Sequence, residues 1–502
     1  MDLTKKLFSN TFYIFLDWFF ISLFGFFYWL IIGKTLPPEQ YGIIITSINI
    51  SNLFTGLSMM GFYFANTKLI SEYLEKRNYK KIKGLIRFSF FFSFILSTFF
   101  ITFLILLSFF SPSLLKIPQD AIVLSSTSIF LIVLYNLLGS IIFGYQKMRK
   151  YFLSDALGYL AKVVLLIFLI YSGFHYVGAI IAFLFSFFIA ALIRFEKKFF
   201  SFSGSVDKKF VFFEYAFPAF LASLFSLIIS NSQYIILTLL KNPEITGLFG
   251  VAMTISSIVP IIPNTLNLGL FPITSQLSAH KGKKRQQAYL ITLVLRYSLF
   301  FGIPFTIFLI CFSKPIILIF SSSKYLQASQ ILPIVATAAF VCGVGNIFLT
   351  SLYAAKKPKI NRNISLLISG IFLLLAIILT YYYSAIGLSI SYLISVSIGL
   401  ILGYVYLKKF IGVKFPKEDF LKVLGGSFVF FILLLFVDLI PINLFFKTIL
   451  VFFDCFVYLI LLMFLKFYKE EDIRILRYVG RRMPFLQKLT SKIIGFLVKY
   501  IK

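Results

Sequence analysis

Long apolar runs alternate with short, mostly basic stretches along almost the whole chain. Runs long enough to cross roughly 30 Å of hydrocarbon fall at about 11–33, 41–65, 88–111, 121–143, 151–172, 176–194, 211–240, 247–277, 288–312, 329–354, 363–383, 386–407, 420–440 and 444–466. The pattern predicts an all-α polytopic membrane protein with fourteen transmembrane helices.

The loops test that count. Starting from a cytoplasmic N-terminus, the inner segments carry forty Lys and Arg residues and the outer loops six. Basic residues stay on the cytoplasmic side, and a missed span would scramble the alternation. Both termini are therefore expected inside, in a cell-membrane protein. The first run is full length and no small-residue cleavage site follows it, so no cleavable signal peptide is expected.

The runs also repeat. Pro38, Glu39 and Gly42 recur as Pro243, Glu244 and Gly247, an offset of 205. Further echoes follow at offsets of 208, near Tyr145 and Tyr353, and 209, at Gly178 and Gly387. Slowly drifting offsets in one order indicate a duplicated half. Each half holds six spans, so both enter from the same side and are related by a pseudo-two-fold axis along the membrane normal. The expected organisation is an N-terminal six-helix lobe at 1–196, a cytoplasmic linker at 197–209 and a second six-helix lobe at 210–409. Spans 13 and 14 follow at 410–466, then a tail at 467–502. In the tail, Leu486, Leu489, Ile493, Phe496 and Leu497 share one helical face, and Lys488, Lys492, Lys499 and Lys502 another. A basic amphipathic helix of this kind suits an anionic inner leaflet.

Composition agrees with the class. The chain is 60% hydrophobic and 13% charged, more apolar than a soluble domain can bury. The net charge of +30 sits in loop tracts, which reads as topology and gives no indication of nucleic-acid binding. Cys311, Cys342 and Cys455 lie far apart in apolar runs, without disulfide or metal spacing.

Two of the 48 basic residues fall inside spans, Lys162 and Arg296. Lys162 lies about 16 Å along its helix, near mid-bilayer, and Arg296 about 12 Å deep. A lipid-facing cation there is costly, so each is expected to face a wet or paired interior. Facing one cavity, the two would form an anion site; the bland alternatives are snorkelling or burial as an ion pair. Asp17 lies in span 1, where it could pair with Lys162 or hold a coupling cation. Asp454 is assigned to local packing; Asp155 and Glu214, near cytoplasmic ends, are assigned to solvent. In span 8, Pro260 and Pro263 interrupt the helix as a candidate hinge, and Asn264 and Asn267 offer polar groups at that depth. Asn52 in span 2 is a further candidate contact. His175 and His280 lie on opposite sides, and no Walker A, HExxH or GxSxG motif is present. The outer loops are short and lack paired carboxylates, which argues against an enzyme. No cofactor or metal is expected.

Leu36-Pro-Pro-Glu-Gln-Tyr-Gly42 is similar to the Leu-Gly-Pro-Glu-Glu-Tyr-Gly of O-antigen-type polysaccharide-biosynthesis flippases, in the multidrug/oligosaccharidyl-lipid/polysaccharide (MOP) superfamily. Asn242-Pro-Glu-Ile-Thr-Gly-Leu-Phe249, Phe271-Pro-Ile-Thr-Ser-Gln-Leu277 and the Ala355-Lys-Lys-Pro-Lys359 loop resemble the same family. The resemblance implies a MATE-like fold and a transporter of polyprenyl-phosphate- or pyrophosphate-linked oligosaccharide. It also implies glycan assembly proteins as partners. Lys162 and Arg296 would then attract the phosphates, with Asn52, Asn264 and Asn267 as further contacts. Two departures stand out. Gln233 occupies the region where the family often has an Asp. Spans 1 and 2 lack the arginines of peptidoglycan-precursor flippases, which counts against lipid II as substrate. The other readings are a cation-coupled small-molecule exporter, which would want more cavity acids, and a membrane glycosyltransferase or polymerase.

Overall fold

The computed structural model describes residues 3–110, 116–200, 204–279, 282–440, 443–474 and 477. The described residues are helical throughout, with no strand among them. In lipid only a helix satisfies its backbone groups within one segment, and the apolar runs take that form. The order begins α1 (Leu3–Thr35), α2 (Pro38–Met59), α3 (Phe62–Glu75), α4 (Tyr79–Phe110), α5 (Gln119–Gly144), α6 (Met148–Tyr171) and α7 (His175–Arg194). After the linker come α8 (Lys208–Phe210), a π turn (Val211–Ala216), α9 (Phe217–Leu240), α10 (Pro243–Ser256), α11 (Ile261–Ala279) and α12 (Lys284–Cys311). The chain continues through α13 (Ser313–Phe320), α14 (Leu332–Ala354), α15 (Pro358–Ile411), α16 (Lys417–Leu439) and α17 (Leu444–Phe464).

Eleven helices among the described residues are long and apolar enough to cross a membrane, or up to thirteen if each of two bent pairs is one span. One bent pair joins Lys208–Leu221 to Ser226–Leu240, where span 7 was expected; the other joins Pro243–Ser256 to Ile261–Ser278, where span 8 was expected. The 54-residue α15 covers expected spans 11 and 12. At 1.5 Å per residue it would run about 81 Å, far beyond the hydrocarbon thickness. Its backbone leaves the helical region at Ser384 (φ 57°, ψ −138°), between those two spans.

Expected span 2 ends differently from its apolar run. Met60 and Gly61 both adopt left-handed backbone (φ 42° and 80°) and end α2; α3 then continues in a new direction to Glu75. A side chain at Gly61 would overlap the carbonyl of Ala216, so glycine is required there. Lys68 is therefore helical rather than part of an inner loop.

Packing groups the chain into two compact units. One comprises residues 1–255, 317–331 and 365–395; the other comprises 256–316, 332–364 and 396–502. In the first, α6 packs on α1 and α7, and α5 on α2, α3, α4 and α7. Small polar residues mediate close helix contacts. Asn66 Nδ2 donates to Ser89 Oγ and Ser140 Oγ, each at 3.1 Å, and Ser128 Oγ donates to Ser51 Oγ at 2.6 Å. In the second, α12 packs on α11, α14 and α16, and α16 on α17. Its core joins Phe300 of α12 and Phe312 just after it to Phe430 and Leu434 of α16, with Tyr458, Leu462 and Phe467. The helices α16 and α17 are thus tied to α12. The amphipathic face from Leu486 to Lys502 lies outside the described residues.

Candidate functional site

The duplicated motif makes its own contact. Pro38 and Pro243 each open a helix at N1, a position where the missing N–H costs nothing. Gly42 and Gly247 follow four residues later, at the start of the second turn of α2 and α10. A methyl group on Gly42 would overlap the carbonyl oxygen of Pro243, and one on Gly247 would overlap the carbonyl oxygen of Pro38. Reciprocal contact of equivalent residues is the signature of a two-fold relation. The seam continues inward through hydroxyls. Thr46 and Thr238 are bonded at 2.7 Å, Thr238 and Thr246 at 2.9 Å, and Tyr41 and Thr254 at 3.1 Å. The offset of 205 marked these positions as a repeat but gave no hint that the copies touch.

A second cluster lies among α1, α5, α6 and α7. Arg194, the last residue of α7, is fully buried, with its guanidinium 4.1 Å from the Tyr135 ring centre and 4.4 Å from that of Tyr151. Its Nε donates to Ser154 Oγ (2.8 Å), Nη1 to the Tyr135 carbonyl (3.1 Å) and Nη2 to Asp155 Oδ1 (2.5 Å). The Tyr135 hydroxyl donates to the same carboxylate oxygen at 3.0 Å. Asp155 is 1% exposed, so the expectation of a solvated carboxylate fails. Counting depth along α6 put it near an end; the tyrosines of α5 and α6 cover that end. Removing one partner of such a pair leaves a buried charge and costs about 3–5 kcal/mol.

Asp17 is buried beside this pair. Its charged neighbours are Asp155 and Arg194, not Lys162. The expected Asp17–Lys162 pair does not form. Asp17 Oδ1 and Asp155 Oδ2 find no hydrogen-bond donor, so two carboxyl groups face one guanidinium.

Lys162 lies seven residues beyond Asp155 and three beyond Tyr159 on α6, on one face. It is 4% exposed, and its ammonium sits 4.2 Å from the Tyr159 ring centre and 4.6 Å from that of Tyr28. Tyr28 is held in place by its hydroxyl, which donates to the Ala179 carbonyl at 3.0 Å. Two aromatic faces cap the amine, a cation–π arrangement, and among the described residues no acid pairs with it.

Arg296, in the other compact unit, is already committed. Its Nη1 and Nη2 donate to both oxygens of Asp472 (3.0 and 2.8 Å), and Nη2 also to the Phe467 carbonyl (2.6 Å). Asp419 lies 3.5 Å from its Nε and takes a second ion pair from Lys469 at 2.8 Å. The Tyr297 hydroxyl donates to Asp472 as well. Arg296 therefore fastens the segment after α17 to α12 and α16, the ion-pair alternative of the sequence reading. Sequence could not show this because Asp472 lies 176 residues away, in what read as a tail.

The polar groups of span 8 divide. Asn267 is buried; its Oδ1 accepts from Thr350 Oγ1 at 2.6 Å. Asn264 is half-buried, as is Asn52 on α2. The chain turns at residues 257–260, just after the boundary of the two compact units at Ile255 and Ser256. Pro260 and Pro263 pack on Gly343 of α14.

Solved structures share this fold. The lipid II flippase MurJ, in an inward closed conformation, matches with a TM-score of 0.69 at 21% identity, over 89% of this chain and 96% of that one. An inward-facing multidrug resistance MATE family transporter of the MOP superfamily matches with a TM-score of 0.66 at 16% identity, over 78% and 94%. A MOP superfamily transporter from Pyrococcus furiosus, described as having a binding pocket of reverse polarity, matches with a TM-score of 0.53 at 15% identity, over 81% and 96%. At such identities the likeness establishes the fold. No curated protein matches the chain by sequence. Residues 7–278 match the model of the polysaccharide biosynthesis protein family. That is more than half of the 502 residues, and the chain belongs to this family.

Proposed function

We propose that this protein flips a lipid-linked oligosaccharide, a precursor of a polysaccharide or glycoprotein glycan, from the inner to the outer leaflet by alternating access. The observation that carries the reading is membership of a polysaccharide biosynthesis family in a chain built of membrane helices. The cargo is an oligosaccharide on a polyprenyl phosphate or pyrophosphate, handed over by glycan assembly proteins. Lys162 is the phosphate ligand: a buried ammonium without an acid partner is costly, and its tyrosine cap must part to admit an anion. Asn52 and Asn264 contact the sugar. Asn267 acts through its bond to Thr350, and Arg296 anchors the C-terminal segment rather than the phosphate. Asp17, with Asp155, takes up the coupling proton or cation. The turn at Pro260 and Pro263 is a hinge within the second lobe. In cells lacking the protein, the lipid-linked precursor should accumulate on the inner side and surface glycan should vanish, both restored by the wild-type gene. Normal surface glycan in such cells would overturn the assignment.

The membrane arrangement belongs to the same proposal: fourteen spans, two six-helix lobes at 1–196 and 210–409, both termini cytoplasmic and the tail on anionic lipid. Pro38 is buried in the seam, so its exposed neighbour Glu39 is the better outer probe. Single cysteines at Glu39, Glu244 and Lys324 should react with a membrane-impermeant reagent in intact cells. Those at Lys80, Lys208, Lys283 and Lys414 should react only after permeabilisation. Labelling at Lys283 in intact cells would remove the fourteen-span arrangement.

A further inference from the structure

The turn between α5 and α6 does more than reverse the chain. Gln146 takes left-handed backbone (φ 57°), and the turn then presents Lys147, Arg149 and Lys150 on one side of an open cleft of about 490 Å³. Asn10 and Tyr13 of α1 face them, and Leu153 and Ile193 line the apolar part. The volume is in the range that admits a small-molecule headgroup. Lys147 Nζ donates to both oxygens of Glu196 (2.7 and 2.8 Å) and Lys150 Nζ to one (2.9 Å). Arg149 is exposed, and among the described residues no acid pairs with it. Three bases against one acid leave a net positive rim.

The apolar part continues along α6. Leu153, Leu157, Leu160, Val164 and Phe168 are all exposed and recur at three- and four-residue intervals, forming one stripe down the helix. A basic cleft at the end of an exposed apolar stripe has the charge and shape of a site for an anionic amphiphile. Glu196 already engages two of the three bases, so the rim suits a single phosphodiester charge better than a pyrophosphate.

We propose that this cleft holds the headgroup of an acidic glycerophospholipid of the inner leaflet, with an acyl chain lying along the α6 stripe. The site lies outside the Lys162 position and depends on the cytoplasmic placement of the α5–α6 turn, not on the identity of the cargo. A resident lipid here braces α1 against α6 and α7, the helices that carry Asp17, Lys162 and Arg194.

The test uses the full-length protein in detergent, equilibrated with equal amounts of phosphatidylglycerol and phosphatidylcholine and read by native mass spectrometry. The wild type should retain phosphatidylglycerol in preference. The triple substitution Lys147→Gln, Arg149→Gln and Lys150→Gln should lose that preference, at about fivefold for each charge removed. Arg149→Gln alone touches an exposed side chain and should fold, yet still weaken retention. Glu196→Gln should strengthen it, a gain that misfolding cannot imitate. Equal retention by the wild type and the triple variant would overturn the proposal. Displacement of phosphatidylglycerol by stoichiometric polyprenyl phosphate would overturn it too, by assigning the cleft to the transported lipid.

Discussion

Gly247→Leu should abolish the pairing of α2 with α10 and stop transport while the helices themselves remain. At this crossing the Pro38 carbonyl occupies the space a side chain needs, and the Pro243 carbonyl does the same at Gly42. Both obstacles are backbone, so neither can swing aside as a long side chain would. Overpacking of this kind costs about 1–3 kcal/mol, and 3 kcal/mol against the paired arrangement lowers its population more than about 100-fold. The measurement uses a background with Cys311, Cys342 and Cys455 replaced by Ser. Into it go Thr46→Cys on α2 and Thr238→Cys on α9, positions whose hydroxyls are 2.7 Å apart and which report on the seam because Thr238 is in turn bonded to Thr246 of α10. Mild oxidation should cross-link the parent efficiently and stop transport, since a seam that cannot open cannot release cargo. Adding Gly247→Leu should suppress the cross-link, and Gly42→Leu should act alike because the contact is reciprocal. Undiminished cross-linking in both leucine variants would show that the seam tolerates bulk and that the duplicated glycines have another purpose.

The seam shows how far the sequence was legible. Equal spacing of Pro, Glu and Gly in two places pointed to a repeat, because a repeat copies residue order. It could not reveal that the copies meet, because contact depends on how the helices cross. The spans were legible for a simpler reason: lipid forces the backbone into helices wherever the chain is apolar for long enough. The break at Met60 and Gly61 escaped notice because the apolar run continues straight through it, and only the backbone angles mark the turn. Ser384 fell where two spans were expected to part, since the length of α15 already exceeded one crossing.

The chemistry was legible by depth but not by partner. Lys162 and Arg296 were both found as bases inside spans, and both are buried. Their difference lies in what faces them: Arg296 meets Asp472 and Asp419, whereas Lys162 meets two tyrosine rings. Arg194 and Asp155 read as solvated because they sit near helix ends, where charge is cheap in water. A signal was present nonetheless. Asp155, Tyr159 and Lys162 fall at i, i+4 and i+7 on α6, one polar face in the otherwise apolar stretch beyond Ser154.

That face makes Lys162 the most informative single position. Lys162→Met should express at least as well as the wild type, because it removes a buried ammonium that no acid compensates and leaves a side chain of similar length between Tyr28 and Tyr159. The same change should reduce flipping by about 10- to 100-fold, since a hydrogen bond to a charged group contributes about 1.5–3 kcal/mol. Lys162→Arg should keep part of the activity, because the charge remains while the planar guanidinium must be accommodated between the two rings. Adding Asp17→Asn to Lys162→Met should restore nothing, because the neighbours of Asp17 are Asp155 and Arg194. Tyr159→Phe keeps the ring face and removes only a hydroxyl, so the cap persists and transport should stay near that of the wild type. The readouts are folded protein by fluorescence-detected size exclusion and lipid-linked precursor on each side of the membrane. Wild-type flipping by a well-folded Lys162→Met protein would remove Lys162 from the phosphate site and leave it as a packing residue of the α1–α6 contact.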